Sequence, residues 1–265
     1  AELLLSDNFN DNSLDSSKWT MFNVHTLSSW AETDQHMVLN NRAWLMTTQN
    51  FNPGDYAEGL TISGQIVFHN LSNNTLDTTL RDNFAFHTRS ADYSTTTDPD
   101  NYGTPYGSPA FGIRFRTGDG GIYDGRTTNL RIDMVNYGVS YLTVASVVST
   151  GTIAWHSDTV YDFVIFDGGG LGTTTNRNLS MTVTQHDDPL NTASVTAYVT
   201  KDDRPSPATQ SKVVFNNSQF TNPNQHTIFM DNINIYSGEI PEPGTLALLA
   251  AGLAGLLAYA WRKRR

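Results

Sequence analysis

Residues 1–239 are written in a period of two, and that spacing constrains the fold more than anything else in the chain. Apolar and polar residues alternate in Leu60-Thr61-Ile62 and on through Ile66-Val67-Phe68. They alternate again in Phe84-Ala85-Phe86, Phe111-Gly112-Ile113-Arg114-Phe115 and Leu130-Arg131-Ile132-Asp133-Met134. The pattern returns over 161–166, 179–183, 195–199 and 228–235. Side chains two positions apart share one face of a strand, so each run can bury one face and wet the other. Between the runs lie turn-forming clusters such as Thr117-Gly118-Asp119-Gly120-Gly121 and Asp167-Gly168-Gly169-Gly170. About a dozen short strands with no amphipathic helix predict an all-β sandwich or jelly roll. No internal repeat or linker divides the stretch, which reads as one unit.

Charge narrows the partners. The chain has a formal net charge of −10. Leaving out the last 25 residues, 1–240 hold 12 basic and 25 acidic side chains, a net of −13. A body this acidic repels nucleic-acid phosphates and anionic head groups, so no nucleic acid is expected as a partner. Asn, Thr, Ser, Asp and Gly are abundant and Lys and Glu scarce, which favours turns and strands over long helices. With no cysteine, disulfides, thiolate nucleophiles and Cys-ligated zinc are excluded. The opening Ala1-Glu2-Leu3 fits a mature N-terminus left by signal-peptide cleavage.

Residues 240–265 obey different rules. Residues 245–261 are uncharged and rich in Leu, Ala and Gly. As a helix they would span about 25 Å, the short end of what crosses a hydrocarbon core. Tyr259 and Trp261 fall at the interface, and Arg262, Lys263, Arg264 and Arg265 follow as a basic stop. That order predicts a single transmembrane helix with its C-terminus in the cytoplasm. Before it stands Pro241-Glu242-Pro243-Gly244, an extended peptide that helix cannot absorb. Proline motif, apolar helix and basic end together closely resemble the PEP-CTERM sorting signal of bacteria that make exopolysaccharide. The resemblance implies recognition by an exosortase and cutting near Pro241-Glu242-Pro243. It also implies inner-membrane anchoring before processing and delivery of 1–239 to the cell surface or extracellular matrix.

Both ends of the body carry a second resemblance. Ser6-Asp7-Asn8-Phe9-Asn10-Asp11, then Leu14-Asp15-Ser16-Ser17-Lys18-Trp19, then Met37-Val38-Leu39-Asn40-Asn41-Arg42-Ala43-Trp44-Leu45-Met46 are similar to the opening of concanavalin-A-like lectin/glucanase domains. In those domains the last of these phrases, here 37–46, forms a hairpin. Phe229-Met230-Asp231-Asn232-Ile233-Asn234-Ile235 looks like their closing strand, which pairs back near the first. Hydrolases on this fold set their acid and nucleophile on one strand as Glu-x-Asp-x-(x)-Glu. The five glutamates, Glu2, Glu32, Glu58, Glu239 and Glu242, make no such pattern. Asp133 shares a strand face with Arg131 and reads as part of a cross-strand ion pair rather than an acid/base pair. A non-catalytic body is therefore expected.

Glycan binding would use aromatics and polar side chains. Candidates are Tyr93, Asp100, Tyr102 and Tyr106 in the long 92–109 segment, and Trp30. Trp19 and Trp44 read as core, and Trp155 is open between a binding and a packing role. The resemblance also implies one structural Ca²⁺ joining the first strand to the last, held by Asp231 with Asp7 as a further oxygen donor. The expectation is an exported, exosortase-sorted, lectin-like sandwich binding extracellular polysaccharide. A hydrolase on the same fold and an adhesive surface protein with no sugar site stay open.

Overall fold

A computed structural model of the chain describes residues 1–23, 29–40, 43–51, 58–69, 71, 84–90, 111–118, 122, 124–136, 142–168, 177–199, 212–217 and 227–240. These form fifteen strands in two antiparallel sheets. The eight-stranded sheet takes β1 (Glu2–Asp7), β3 (Ser29–Thr33), β4 (His36–Asn40), β6 (Leu60–His69), β11 (Val160–Asp167), β12 (Arg177–Gln185), β13 (Asp188–Val199) and β15 (Thr227–Ser237). The seven-stranded sheet takes β2 (Trp19–Asn23), β5 (Ala43–Thr47), β7 (Phe84–Ser90), β8 (Phe111–Arg116), β9 (Thr127–Asn136), β10 (Leu142–Ala154) and β14 (Lys212–Asn217). Their spatial orders are β13-β12-β11-β6-β15-β4-β3, with β1 on β15, and β10-β9-β8-β7-β14-β5-β2.

The alternating residues meet between the sheets. Phe86 lies 4.5 Å from Phe163 of the opposite sheet, 4.6 Å from Phe84 and 5.7 Å from Phe215, ring centre to ring centre. Trp19, Trp155, Phe68, Ile62, Ile132 and Met181 are buried in the same cluster. Trp155 is thus a packing residue; its indole donates to Thr128 Oγ1 at 2.7 Å. At one side Asn191 ties the two sheets' edges together. It accepts from the Ala154 amide and donates to the Ala154 carbonyl, both at 2.8 Å. Both backbone groups at the end of β10 are thereby satisfied, which blunts an exposed edge.

The closing strand behaves as expected. β15 pairs with β1 in antiparallel register, Glu2 with Ser237 through Asp7 with Ile233. The hairpin expected over 37–46 is replaced by a corner, because β4 and β5 lie in different sheets. The reason is burial on both sides of β5. Ala43 and Leu45 enter the main core while Trp44 and Met46 pack with Val214 on the sheet's far face. A hairpin partner of β4, whose Val38 face looks away from the core, would give that second set nowhere comparable to go.

Candidate functional site

The outward face of the seven-stranded sheet is where the fold gathers chemistry. Leu45, Phe215, Phe86, Phe115 and Ile132 stand opposite one another and face the core. Neighbouring rows therefore face the other way. One runs Met46, Val214, His87, Arg114, Asp133 and Ser146; the next runs Trp44, Asn216, Ala85, Arg116 and Arg131. Polar members of these rows are unusually shielded. His87, Arg114, Asp133 and Asn216 are all buried.

Asp133 is fully engaged. Its Oδ2 accepts from Arg114 Nη2 at 2.5 Å and Nε at 3.1 Å. Its Oδ1 accepts from Arg131 Nε at 2.5 Å and Ser146 Oγ at 2.8 Å, and Arg116 stands 3.7 Å from Oδ2. Burial alone would raise its pKa, but the Arg114 charge and the bonds from Arg114, Arg131 and Ser146 outweigh burial and hold it low. The Arg131–Asp133 pair read from the sequence is present, within one strand rather than across two. Arg114 and Ser146 come from the neighbouring strands. Among the described residues Asp133 is the only carboxylate on this face.

His87 is the contrary case. Burial, then the Arg114 charge, push its pKa down to about 3, so the ring is neutral at ordinary pH. It stacks on Trp44 with ring centres 6.2 Å apart and planes at 19°. Asn216 lies diagonally across the strand pair and favours the protonated ring. Nevertheless neither ring nitrogen nor Asn216 Oδ1 has a hydrogen-bond partner of normal geometry. No sequence motif marks Trp44, His87 and Asn216 as a group; only outward parity on strands not yet paired could have hinted at it.

The expected calcium pair sits at a seam. β15 pairs with β4 over 227–230 and with β1 from Ile233 onward; in between, Asp231 still faces Gln65 of β6, and the register shifts between Asp231 and Asn234. Asn232 adopts φ 52° there and donates to Asp231 Oδ1 at 2.7 Å and Oδ2 at 3.0 Å. Asp7 ends β1 nearby. Its Oδ2 accepts from Trp19 Nε1 at 2.8 Å and Lys18 Nζ at 3.4 Å, and its Oδ1 from the Phe9 amide at 3.1 Å. An ammonium and an indole N–H on the same oxygen are the wrong donors for a hard cation, which wants six to eight oxygens. Asp7 and Asp231 therefore do not fit Ca²⁺ between them. Among the described residues no group of three or more His, Asp or Glu is placed to hold a metal ion.

Trp30 stands on edge strand β3, opposite Leu39, 36% exposed at the rim of the core and away from the His87 face. Tyr93, Asp100, Tyr102 and Tyr106 lie outside the described residues. So do Pro241, Glu242, Pro243, the 245–261 span and the basic stop at Arg262, Lys263, Arg264 and Arg265. Among the described residues no helix is long and apolar enough to cross a membrane.

Known structures define the class. The fold is that of the concanavalin-A-like legume lectins. The basic winged bean lectin with Tn-antigen superposes with a TM-score of 0.56 over 87% of this chain and 97% of its own, at 12% identity. Lectin II from Ulex europaeus gives 0.56 over 90% and 100%, at 15% identity. The carbohydrate recognition domain of Emp46p, in its potassium-bound form, gives 0.53 over 88% and 96%, at 11% identity. Residues 239–265 match the PEP-CTERM protein-sorting motif, directly after the last strand of the sandwich. No curated protein sequence matches the chain.

Proposed function

We propose that this is an exported, non-catalytic, glycan-binding protein, delivered by an exosortase to the cell surface or the extracellular polysaccharide matrix. The observation that carries the reading is the union of two parts in one chain, a lectin-type sandwich and a PEP-CTERM motif beginning where the last strand ends. Residues 245–261 would hold the precursor in the inner membrane, the basic stop would fix its C-terminus in the cytoplasm, and Pro241-Glu242-Pro243 would be the cut region. Absence of catalysis is supported by Asp133. A retaining or inverting hydrolase needs two carboxylates facing one bond with proton-transfer freedom. Among the described residues Asp133 is the only carboxylate on its face, and it is saturated by donors.

Two measurements test this. In an exosortase-bearing bacterium, Glu242→Ala should leave the protein full-length in the membrane fraction while the parent sequence loses its tail. Equal processing of both would refute sorting through the motif. The parent protein should also be retained by the producing organism's extracellular polysaccharide without new reducing ends appearing over time. New reducing ends would establish an enzyme, and no retention would leave an adhesive or structural protein.

A further inference from the structure

We infer that a clasp at Gly238 positions the chain for the sorting cut and confines the broken bond to those linking Glu242, Pro243, Gly244 and Thr245. The inference rests on the sorting reading above and says where that cut falls. At its exit β15 is locked to the sheet. The Gly238 amide donates to the Gly59 carbonyl at 2.7 Å, and Thr61 Oγ1 donates to the Gly238 carbonyl at 2.6 Å. Both glycines take left-handed backbone, φ 75° at Gly238 and 88° at Gly59, where other residues are strained. A Cβ at Gly238 would also lie 3.1 Å from Glu58 Oε2. One residue earlier, Ser237 pairs with Leu60, and its hydroxyl accepts from the Glu2 amide at 3.1 Å. Gly238 and Thr61 are buried, so opening the clasp breaks two shielded hydrogen bonds and the open form is a minority. Glu239 is the first residue beyond the clasp, and it is exposed.

Chain length then sets the window. An enzyme that cuts a peptide holds about four residues ahead of the bond extended in its cleft, by main-chain hydrogen bonds and side-chain pockets. Residues fixed in a sheet cannot enter such a cleft. With Gly238 held, the gripped residues start at Glu239, and the first bond within reach is Glu242–Pro243. A cut at Pro241–Glu242 would already need Gly238 in the cleft. The far limit is the bilayer. Thr245 opens the apolar span, and a helix in lipid keeps its backbone groups bonded to itself. Residues 239–244 reach at most about 21 Å when fully extended, so the enzyme works in a narrow gap between sheet and membrane. By sequence, Pro241 and Pro243 favour extended backbone at Ile240 and Glu242, which makes the spacer stiff. The chemistry is acyl transfer. One peptide C–N bond breaks, its carbonyl carbon passes to water or to an acceptor's amine, and the proton this nucleophile gives up goes to the tail's new amine. Gly59, Thr61 and Gly238 are positioning residues and touch none of the reacting atoms.

The test uses the full-length chain in an exosortase-bearing bacterium, with both fragments of the cut identified by mass spectrometry. The body should end at Glu242, Pro243 or Gly244, and the tail should begin at the next residue. A tail beginning at Glu242 or earlier, or after Thr245, would overturn the window. The clasp is tested by spacing. Deleting Glu239 and Ile240 should slow processing about tenfold or more, because only the minority form with two hydrogen bonds open can then reach the cleft. The same deletion combined with Thr61→Val, which removes the donor to the Gly238 carbonyl, should recover about fivefold, as expected for one neutral hydrogen bond. Parent-rate processing of the deletion, or no recovery with Thr61→Val, would overturn the clasp while leaving the sorting reading intact. The fragments of the parent sequence decide the window whether or not the variants fold. A parent chain that keeps its tail would overturn the sorting reading and the window together.

Discussion

Asp133 and His87 sit one residue apart across β7, β8 and β9 and have opposite bonding states. Asp133 accepts four hydrogen bonds, so its ionised form belongs to the fold. Its folded-state pKa is lowered, so its stabilising contribution is present above the unfolded carboxylate value and is lost as pH falls through the folded one. Asp133→Asn should lower stability at pH 7 by about 3 kcal/mol or more, because buried guanidinium groups lose their balancing charge. The difference from the parent should shrink in acid, as measured by urea unfolding at pH 7 and pH 3. An equal deficit at both would mean that packing, not charge, is responsible. Part of this was legible in the sequence, since Arg131 and Asp133 are two apart on a strand. Arg114, Ser146, His87, Trp44 and Asn216 were not, because strand register decides which distant residues become neighbours.

Strands announced themselves where only one face is buried. β6, β9, β11 and β15 alternate and were readable. β14 (Lys-Val-Val-Phe-Asn-Asn) and β5 are buried on both faces, so their sequences carry no period of two. That double burial also turned the expected hairpin into a corner. A glycine on β6 and one just past β11 test how tightly the elements meet. A Cβ at Gly168 would lie 2.5 Å from the Asn178 carbonyl oxygen, a backbone atom whose partner is the Gly168 amide itself. A Cβ at Gly64 would lie 2.5 Å from Ile233 Cδ1 and 2.9 Å from Phe163 Cζ, ends of side chains that can turn. Gly64→Ala should therefore cost about 1–3 kcal/mol, as overpacking does, and Gly168→Ala clearly more. Chemical unfolding of the two variants would show it, and the reverse order would contradict this packing.

The β1–β15 seam yields a test with a sign. Burial first, then the Asp7 carboxylate, raise the pKa of Asp231. A raised carboxylate stabilises when protonated, and that contribution is lost as pH rises through the folded pKa. Asp231→Asn should thus raise the thermal midpoint at pH 7 and leave it unchanged in strong acid, and EDTA should leave the parent's midpoint where it is. A midpoint that falls on both treatments would mean that Asp231 holds a cation with ligands beyond those described.

At the scale of the whole molecule, the sandwich and the sorting address were both legible, for different reasons. Alternation fixes a sandwich because burying one face of many short strands has few solutions. The tail was readable because its composition departs abruptly from the body's. Which side chains the outward face of the seven-stranded sheet brings together was not readable, as it depends on the spatial order of strands far apart in the chain. That same order settles how the body bears load. The chain runs straight from β15 into the sorting motif, so any pull on the tail is delivered along an eleven-residue strand. β15 is bonded to β6 on one side and to β4 and β1 on the other, and its exit is clasped by the Gly238 amide on the Gly59 carbonyl and by Thr61 Oγ1 on the Gly238 carbonyl. Tension directed along it loads these bonds in shear, all at once, instead of peeling them one by one. A body held by such a tail would therefore part from it only when the whole strand slipped at once.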